Sequence, residues 1–146
     1  MPKLRHLALH TANLQATAEF YKRVFDMKEV GRNNGNYADA IYLTDGTLNL
    51  TVLTFKSSDI AEKIGGSSSF GVVHFGFWVD DLAERRRRLK DFGAECVESH
   101  EVKDMQNGHF EDKWKGPDGT LFDVTNTGFP GALSPRRERV SVIPRR

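Results

Sequence analysis

Two histidines occupy the same place in two imperfectly repeated segments of this chain. His6 opens the segment HLALHTANLQATAEFYKRVFDMKEV, and His74, which lies 68 residues later (74 − 6), opens the segment HFGFWVDDLAERRRRLKDFGAECV. Asn13 and Asp81 keep the same spacing (81 − 13). A repeat usually marks one structural unit used twice. Equivalent strand positions converge when two such units pair about a pseudo-twofold axis, so we expect the two histidines to lie close together.

A carboxylate in the last predicted strand completes a set of possible metal ligands. Asp123 lies in the middle of the strand-like run Leu-Phe-Asp-Val-Thr, where an unpaired buried charge would be costly, so we expect a cation beside it. Two histidines and one carboxylate on strands are the minimal set for a divalent metal, and they leave coordination positions open on Fe(II) or Mn(II). The sequence therefore predicts a metal site formed by His6, His74 and Asp123.

Other interpretations of the histidines stay open at this level. A single histidine on a strand is more often a hydrogen-bonded core residue than a ligand, and the equivalent repeat positions are what favour metal binding here. His10 shares a strand face with His6 because side chains alternate along a strand, and it could act beside the site as an acid or a base. His109 follows a turn-forming glycine and could face a substrate. A surface or packing role is an equal alternative for His10 and His109.

The composition indicates one globular domain and argues against two classes of partner. The chain has 146 residues, 28% of them charged, and a formal net charge of +1, which argues against a nucleic-acid or membrane partner. No apolar run approaches the roughly 20 residues that a membrane-spanning helix needs. Cys96 is the single cysteine, so an intramolecular disulfide is excluded and a cytoplasmic location is favoured. Its strand context favours packing over a role as a nucleophile.

Two basic clusters interrupt this even balance of charge. The run Arg85 to Arg88 lies within a predicted helix, where successive side chains point about 100° apart, so a solvated helix face is the preferred interpretation. Residues 131–146 form a basic C-terminal tail that contains two prolines and five arginines. This tail is predicted to be either a mobile terminus or an arm packed on a neighbouring subunit.

Hydrophobic periodicity and turn residues predict the same order of elements in both repeats, namely strand, helix and three strands. The first helix is predicted from about Leu14 to Phe25 after an Asn13 N-cap. The second helix is predicted to follow Asp80 or Asp81 and to end at a Gly93 C-cap.

These elements predict a single domain over residues 1–130, with module one at about 4–55 and module two at about 72–128. A connector over residues 56–69 joins the modules, and its glycine- and serine-rich end is predicted to be flexible.

The motifs together resemble those of a known superfamily from about Leu4 to Gly128. They are the first-strand histidine, a helix with the residues Asn13, Phe20 and Tyr21, and the closing run Pro-Asp-Gly-Thr-Leu-Phe-Asp. This combination is similar to the vicinal oxygen chelate superfamily, which includes glyoxalase I, extradiol ring-cleaving dioxygenases, methylmalonyl-CoA epimerase and bleomycin resistance proteins. The resemblance implies an α+β fold in which two βαβββ modules form an open, cup-shaped mixed sheet around a metal, and it implies a homodimer.

The resemblance also assigns metal ligands to the first and fourth strands of each module. Carried over, these positions are His6, the region of Asn49, His74 and Asp123. The closing ligand of the superfamily is usually glutamate, and Asp123 is shorter. A gapless match of the two Asp-Gly-Thr-Leu turns puts Leu50 opposite Asp123, whereas the superfamily's strand pattern favours Asn49 as a weak fourth ligand.

This weak fourth position favours one reaction class. In glyoxalases and epimerases the fourth-ligand carboxylate also acts as the general base, and neither candidate side chain here can do so. The sequence therefore predicts a metal-dependent enzyme with extradiol-dioxygenase-like chemistry on a small-molecule substrate that chelates Fe(II) or Mn(II) through neighbouring oxygens. Ni(II) or Zn(II) would instead favour a glyoxalase-type lyase or isomerase.

The alternative from another class is a metal-free binding protein of the bleomycin-resistance kind, which holds its ligand in a cup between two subunits. Under either hypothesis a flat ligand would need an apolar wall. The aromatic residues predicted to line such a pocket, with core packing as an equal explanation, are Phe75, Phe77, Trp78, Phe110 and Trp114.

Overall fold

The computed structural model describes residues 1–99 and 111–137. His109 and Phe110, which the sequence analysis singled out, lie outside the described residues, and so does the end of the basic tail, residues 138–146. Everything below refers to the described part of the chain.

Eight strands in the described residues form one mixed sheet. In chain order they are β1 (Lys3–His10), β2 (Lys28–Asn34), β3 (Ala38–Thr44), β4 (Asn49–Phe55), β5 (Gly71–Trp78), β6 (Glu95–Glu98), β7 (Asp112–Lys115) and β8 (Leu121–Thr125). The order across the sheet is β2-β3-β4-β1-β5-β8-β7-β6, so the two modules meet at the β1–β5 pair. The predicted α+β fold with two βαβββ modules is confirmed.

Each module carries one helix whose start is set by a side-chain cap. Helix α1 (Leu14–Phe25) begins where Asn13 Oδ1 accepts a hydrogen bond from the Ala16 N–H at 3.0 Å. The three-residue helix α2 (Ser58–Ile60) lies in the connector, and α3 (Leu82–Asp91) begins at an Asp81 cap of the same kind. No helix in the described ranges combines the length and the apolarity that crossing a membrane requires.

The two long helices cover one face of the sheet and leave the opposite face open as the cup. Ala18 of α1 is fully buried against Ile41 and Val52, which point to the helix side of β3 and β4. Trp114 and Val124 form the matching core beneath α3. Because strand side chains alternate, the neighbours of these core residues point into the cup.

The glycines at the end of the connector serve close packing rather than the flexibility that the sequence predicted. A π-helical turn (Ala61–Gly65) follows α2. A Cβ atom on Gly65 would lie 2.2 Å from the Phe55 ring, and one on Gly66, whose φ is +102°, would lie 2.4 Å from the Val73 carbonyl oxygen. The connector therefore approaches β4 and β5 more closely than a residue with a side chain would allow.

Arg86 corrects the prediction that the arginine run forms a solvated helix face. Its Nε and Nη2 atoms donate to the two carboxylate oxygens of Asp112 at 2.7 and 2.8 Å, and Asp112 is fully buried. Arg88, by contrast, pairs with Glu84 at 2.9 Å on the exposed side of the same helix, as expected. The sequence pattern did not distinguish these two residues because the partner of Arg86 lies on β7, 26 residues away.

Candidate metal centre

The site lies where β1 of module one pairs with β5 of module two. At this pairing, the β1–β5 seam, the repeat brings equivalent residues together. In this antiparallel pair His6 lies opposite Gly76 and Ala8 lies opposite His74. Ala8 and Gly76 are themselves equivalent positions of the repeat (76 − 68 = 8). Each histidine therefore faces a small residue across the seam, which leaves room for both imidazole rings on the cup side.

Gly76 is also where the ring of Phe129 approaches the sheet. Phe129 stacks on the His6 imidazole with the ring centroids 4.6 Å apart and the planes 8° apart. A Cβ atom on Gly76 would lie 2.6 Å from the Phe129 ring and 3.1 Å from His6. The absence of a side chain at this position therefore allows an aromatic ring to fix one face of His6.

We expect Gly76→Ala to displace Phe129 and to loosen His6 while leaving the fold intact. Overpacking of this kind costs about 1–3 kcal/mol. The free energy of unfolding from urea titration measures the cost, and the NMR signals of the His6 ring report its change in packing. Gly46→Ala is the control, because an alanine there strains the backbone, whose φ is +95°, but its Cβ atom would meet no neighbouring atom within 4 Å. Unchanged His6 signals in Gly76→Ala would contradict the role assigned to this glycine.

The three predicted ligands converge in the cup. Asp123 lies on β8, which pairs with β5 in parallel, and it is opposite Gly76 in that pair. The His6 Nε2 to His74 Nε2 distance is 3.4 Å, and the Asp123 Oδ2 atom lies 3.4 Å from His6 Nε2 and 3.1 Å from His74 Nε2. All three side chains are buried.

Hydrogen bonds on the far side of each imidazole set the orientation of both rings. His74 Nδ1 lies 2.6 Å from the carbonyl oxygen of Gly65, an atom that can only accept, so Nδ1 carries the proton. His6 Nδ1 lies 2.6 Å from Asn49 Oδ1. Asn49 Nδ2 donates to the Pro130 carbonyl and the Thr51 hydroxyl donates to Asn49 Oδ1, which identifies Oδ1 as the acceptor for His6.

With the proton on Nδ1, the neutral form of each imidazole presents its Nε2 lone pair, and the two lone pairs point to the same position. Asp123 Oδ2 faces that point too, and it is a buried oxygen without a hydrogen-bond partner among the described residues. In that form, three electron-pair donors face one another. A cation is what such a cluster lacks, and imidazole with carboxylate suits Fe, Mn, Ni or Zn. The residues present therefore fit a divalent metal.

Lys113 supplies the cation that the sequence predicted beside Asp123. Its Nζ atom lies 2.9 Å from Asp123 Oδ1 and 3.4 Å from Glu111 Oε1. Burial would raise the pKa of Asp123, but the Lys113 ammonium holds it well below its usual range. Burial would likewise lower the pKa of Lys113, and the two carboxylates raise it instead. The pair is therefore fully ionised at neutral pH.

Comparison with known proteins settles the family. A family model described as the Glyoxalase/Bleomycin resistance protein/Dioxygenase superfamily matches residues 3–124. This chain belongs to that superfamily. The resemblance inferred from the sequence motifs is confirmed.

Individual members of the superfamily differ in what they do. A Bacillus subtilis (strain 168) protein described as a probable trivalent organoarsenical cleaving enzyme is 29% identical over 128 residues, which cover 86% of this chain and 80% of that protein. Methylmalonyl-CoA epimerase from Mycobacterium tuberculosis superposes with a TM-score of 0.65 at 18% identity, over 93% of this chain and 91% of that chain. A variant of Streptomyces coelicolor 4-hydroxymandelate synthase gives a TM-score of 0.65 at 22% identity, over 95% and 55%. The two structural matches show the fold alone.

The strand register places Thr51 in module one at the position that Asp123 occupies in module two. Ala8 lies opposite Thr51 in the β1–β4 pair just as Gly76 lies opposite Asp123 in the β5–β8 pair. Because Ala8 and Gly76 are equivalent, Thr51 is the counterpart of Asp123, and the gapless match to Leu50 is wrong by one residue. Asn49, the other candidate, lies on the Nδ1 side of His6, and both ends of its amide are hydrogen-bonded.

His10 lies apart from the three converging residues. It is four residues along β1 from His6, which is roughly 13 Å at the rise of an extended strand. Its Nδ1 atom donates to the Ser69 carbonyl at 3.1 Å, and its ring packs between Phe55 and Phe70. These contacts favour the packing alternative, in which His10 anchors the end of the connector to the sheet.

A cleft of about 570 Å³ opens above His6 and His74. Its aromatic wall is formed by Tyr37, Tyr42, Phe55 and Phe129, and its charged lining residues are Arg32, Glu111 and Lys113. The predicted aromatic wall is wrong in the described part of the chain, because Phe75, Phe77 and Trp114 lie on the helix side and Trp78 does not line the cleft. Lys113 was not among the residues predicted from the sequence, although the turn before β8 makes it the cross-strand neighbour of Asp123.

Proposed function

We propose that this protein is a divalent-metal-dependent enzyme in which His6, His74 and Asp123 hold Fe(II) or Mn(II) at the floor of the cleft. The observation that carries this proposal is that His6 Nε2, His74 Nε2 and Asp123 Oδ2 converge, and that Oδ2 has no hydrogen-bond partner among the described residues. The partners on the far side support it, since a metal-binding histidine usually donates its other N–H to a carbonyl or carboxylate. Gly65 and Asn49 fill that role here.

Within the superfamily we favour dioxygenase-type chemistry over proton transfer. The counterpart of Asp123 is Thr51, whose hydroxyl donates to Asn49, so this position offers no carboxylate to remove a proton from a substrate carbon. When bound, Fe(II) would supply open positions for two neighbouring substrate oxygens and for O₂. The residues of the chain would hold that substrate between the cleft's aromatic wall and the two imidazoles, and would exclude water from the floor.

The three proposed ligands come from one chain, so the proposed site does not need a second subunit. The homodimer implied by the superfamily remains a prediction. This arrangement also weakens the alternative of a ligand cup formed between two subunits, although a metal-free binding protein with a cup inside one chain stays a distinct hypothesis.

The activity described for the Bacillus subtilis relative suggests an organoarsenical as another substrate. Trivalent arsenic favours thiolate ligands, and Cys96 is the single cysteine of this sequence. Cys96 lies opposite Trp114 in the β6–β7 pair, and Trp114 points to the helix side of the sheet. Cys96 therefore lies away from the cup, and we propose an oxygen-chelating substrate in preference to an arsenical held by a thiolate.

Elemental analysis of protein purified anaerobically without a metal-affinity tag tests this proposal. We expect near-stoichiometric iron or manganese in the wild type, loss of the metal in His6→Ala, and oxygen uptake with catechol by the iron-loaded wild type. His10→Ala is the matched control, because it removes the same group from the same strand face outside the site. Nickel or zinc at full occupancy would favour a lyase instead. If the wild type binds no metal, the metal-free binding protein becomes the better hypothesis.

A further inference from the structure

Lys113 shares one carboxylate with the proposed metal. Its ammonium is bonded to Asp123 Oδ1, while Oδ2 is the oxygen that faces the two imidazoles. Lys113 is 8% exposed, and it lines the cleft. A cation bound at Oδ2 would therefore share the Asp123 carboxylate with a buried lysine side chain.

The charges at the floor of the cleft change sign when a divalent ion is added. Among the described residues, the charged groups bonded to one another at the floor are Lys113 (+1), Asp123 (−1) and Glu111 (−1), which sum to −1 when the imidazoles are neutral. A divalent ion brings the sum to +1 in a place where little water can screen it. Two cations at close range in a low dielectric repel each other strongly. The Lys113 ammonium therefore lowers the affinity of the site for the metal ion alone, and an anion bound beside both cations would offset this repulsion.

Resting on the function proposed above, we infer that Lys113 selects a small organic anion among the substrates that chelate through two adjacent oxygens, and that it couples the binding of this anion to the binding of the metal. Lys113 makes metal binding depend on that anion. The lysine keeps Asp123 compensated in the metal-free protein, disfavours the metal alone, and donates a hydrogen bond to the anion in the ternary complex. Metal and anion therefore bind with positive cooperativity, and by linkage each raises the affinity for the other by the same factor.

The test measures Mn²⁺ binding from the electron paramagnetic resonance signal of free Mn²⁺, with and without oxalate. Oxamide is the control ligand, because it has the same size and the same adjacent oxygens without the charge. Oxalate also binds Mn²⁺ in solution, so that equilibrium is measured separately and subtracted. In the wild type we expect oxalate to tighten Mn²⁺ binding by about tenfold or more and oxamide to have little effect.

Substitution of Lys113 should change both the affinity for Mn²⁺ alone and the increase in that affinity caused by oxalate. We expect Lys113→Met to bind Mn²⁺ alone about tenfold more tightly than the wild type, and to lose most of the oxalate effect. Lys113→Gln keeps a donor for Asp123 without the charge and provides the same comparison if Lys113→Met does not fold. Lys115→Met removes a lysine two positions along the same strand and should behave as the wild type.

The outcomes distinguish failure of this inference from failure of the proposed function. An oxalate effect of equal size in the wild type and in both Lys113 variants would overturn the role of Lys113 and leave the metal enzyme standing. An equal effect of oxamide and oxalate would overturn the anionic substrate class. If no variant binds Mn²⁺ under any condition, both proposals fail. If the Lys113 variants bind Mn²⁺ and the wild type does not, the inference is supported, because Lys113 then prevents binding of the metal ion without an anion.

Discussion

Asp123→Asn is expected to lower the free energy of unfolding of the metal-free protein by about 3 kcal/mol, although the side chain keeps its size. The substitution leaves the Lys113 ammonium buried, with Glu111 at 3.4 Å as its remaining carboxylate partner among the described residues. Urea titration in the presence of a chelator measures the loss. The double variant with Lys113→Met should recover part of it, because the buried charge is then absent.

The pair between Asp39 and Lys56 gives a matched control for this prediction. Its Nζ to Oδ1 distance is 2.8 Å, close to the 2.9 Å between Lys113 and Asp123, but its side chains are 41% and 40% exposed. Exposed pairs contribute about 0–1 kcal/mol, so Asp39→Asn should have a small effect. Equal losses in Asp39→Asn and Asp123→Asn would show that the buried pair contributes no more than a surface pair.

The stability difference between wild type and Asp123→Asn should also depend on pH with a definite sign. The pKa of Asp123 is lowered on folding, because the Lys113 ammonium outweighs the effect of burial. A carboxyl of this kind contributes stability that is complete above its unfolded pKa, about 3.9, and is lost as the pH falls through the lower folded value. The difference in the free energy of unfolding between the wild type and Asp123→Asn should therefore become smaller as the pH is lowered.

Arg86→Met is expected to lower the free energy of unfolding by about 3 kcal/mol, because the fully buried Asp112 carboxylate loses its bidentate partner. Thermal and urea denaturation of the metal-free protein measure this effect. Arg88→Met is the control on the same helix, where the pair with Glu84 is exposed and should contribute less than about 1 kcal/mol. A loss in Arg86→Met no larger than that in Arg88→Met would contradict the buried role of Arg86.

Local patterns predicted the parts of this fold that depend on neighbours in the sequence. The first helix runs from Leu14 to Phe25 as expected, because its cap and its apolar stripe both lie within the segment. The approach of His6 to His74 could also be predicted, because they occupy equivalent positions of the repeat, and Asp123 was expected beside a cation because it is a carboxylate in a strand. Metal binding by these residues remains a prediction.

The parts that the sequence did not predict depend on strand register and on distant backbone. Thr51 is the counterpart of Asp123 because β4 is shifted by one residue relative to its turn, which no local pattern reveals. Lys113 reaches Asp123 across a hairpin, and Gly65 reaches His74 from the connector. Each of these contacts requires knowledge of which backbone lies alongside which, and side-chain periodicity alone does not supply it.

The placement of the site on the β1–β5 seam has a consequence for how the molecule assembles. The three converging residues are drawn from near the start, the middle and near the end of the chain, so neither module contains a complete site. A cation held there would act as a cross-link between the halves, much as a disulfide joins distant segments. Its binding energy would strengthen the seam rather than either module, and the completed cup would exist only once the whole chain had folded.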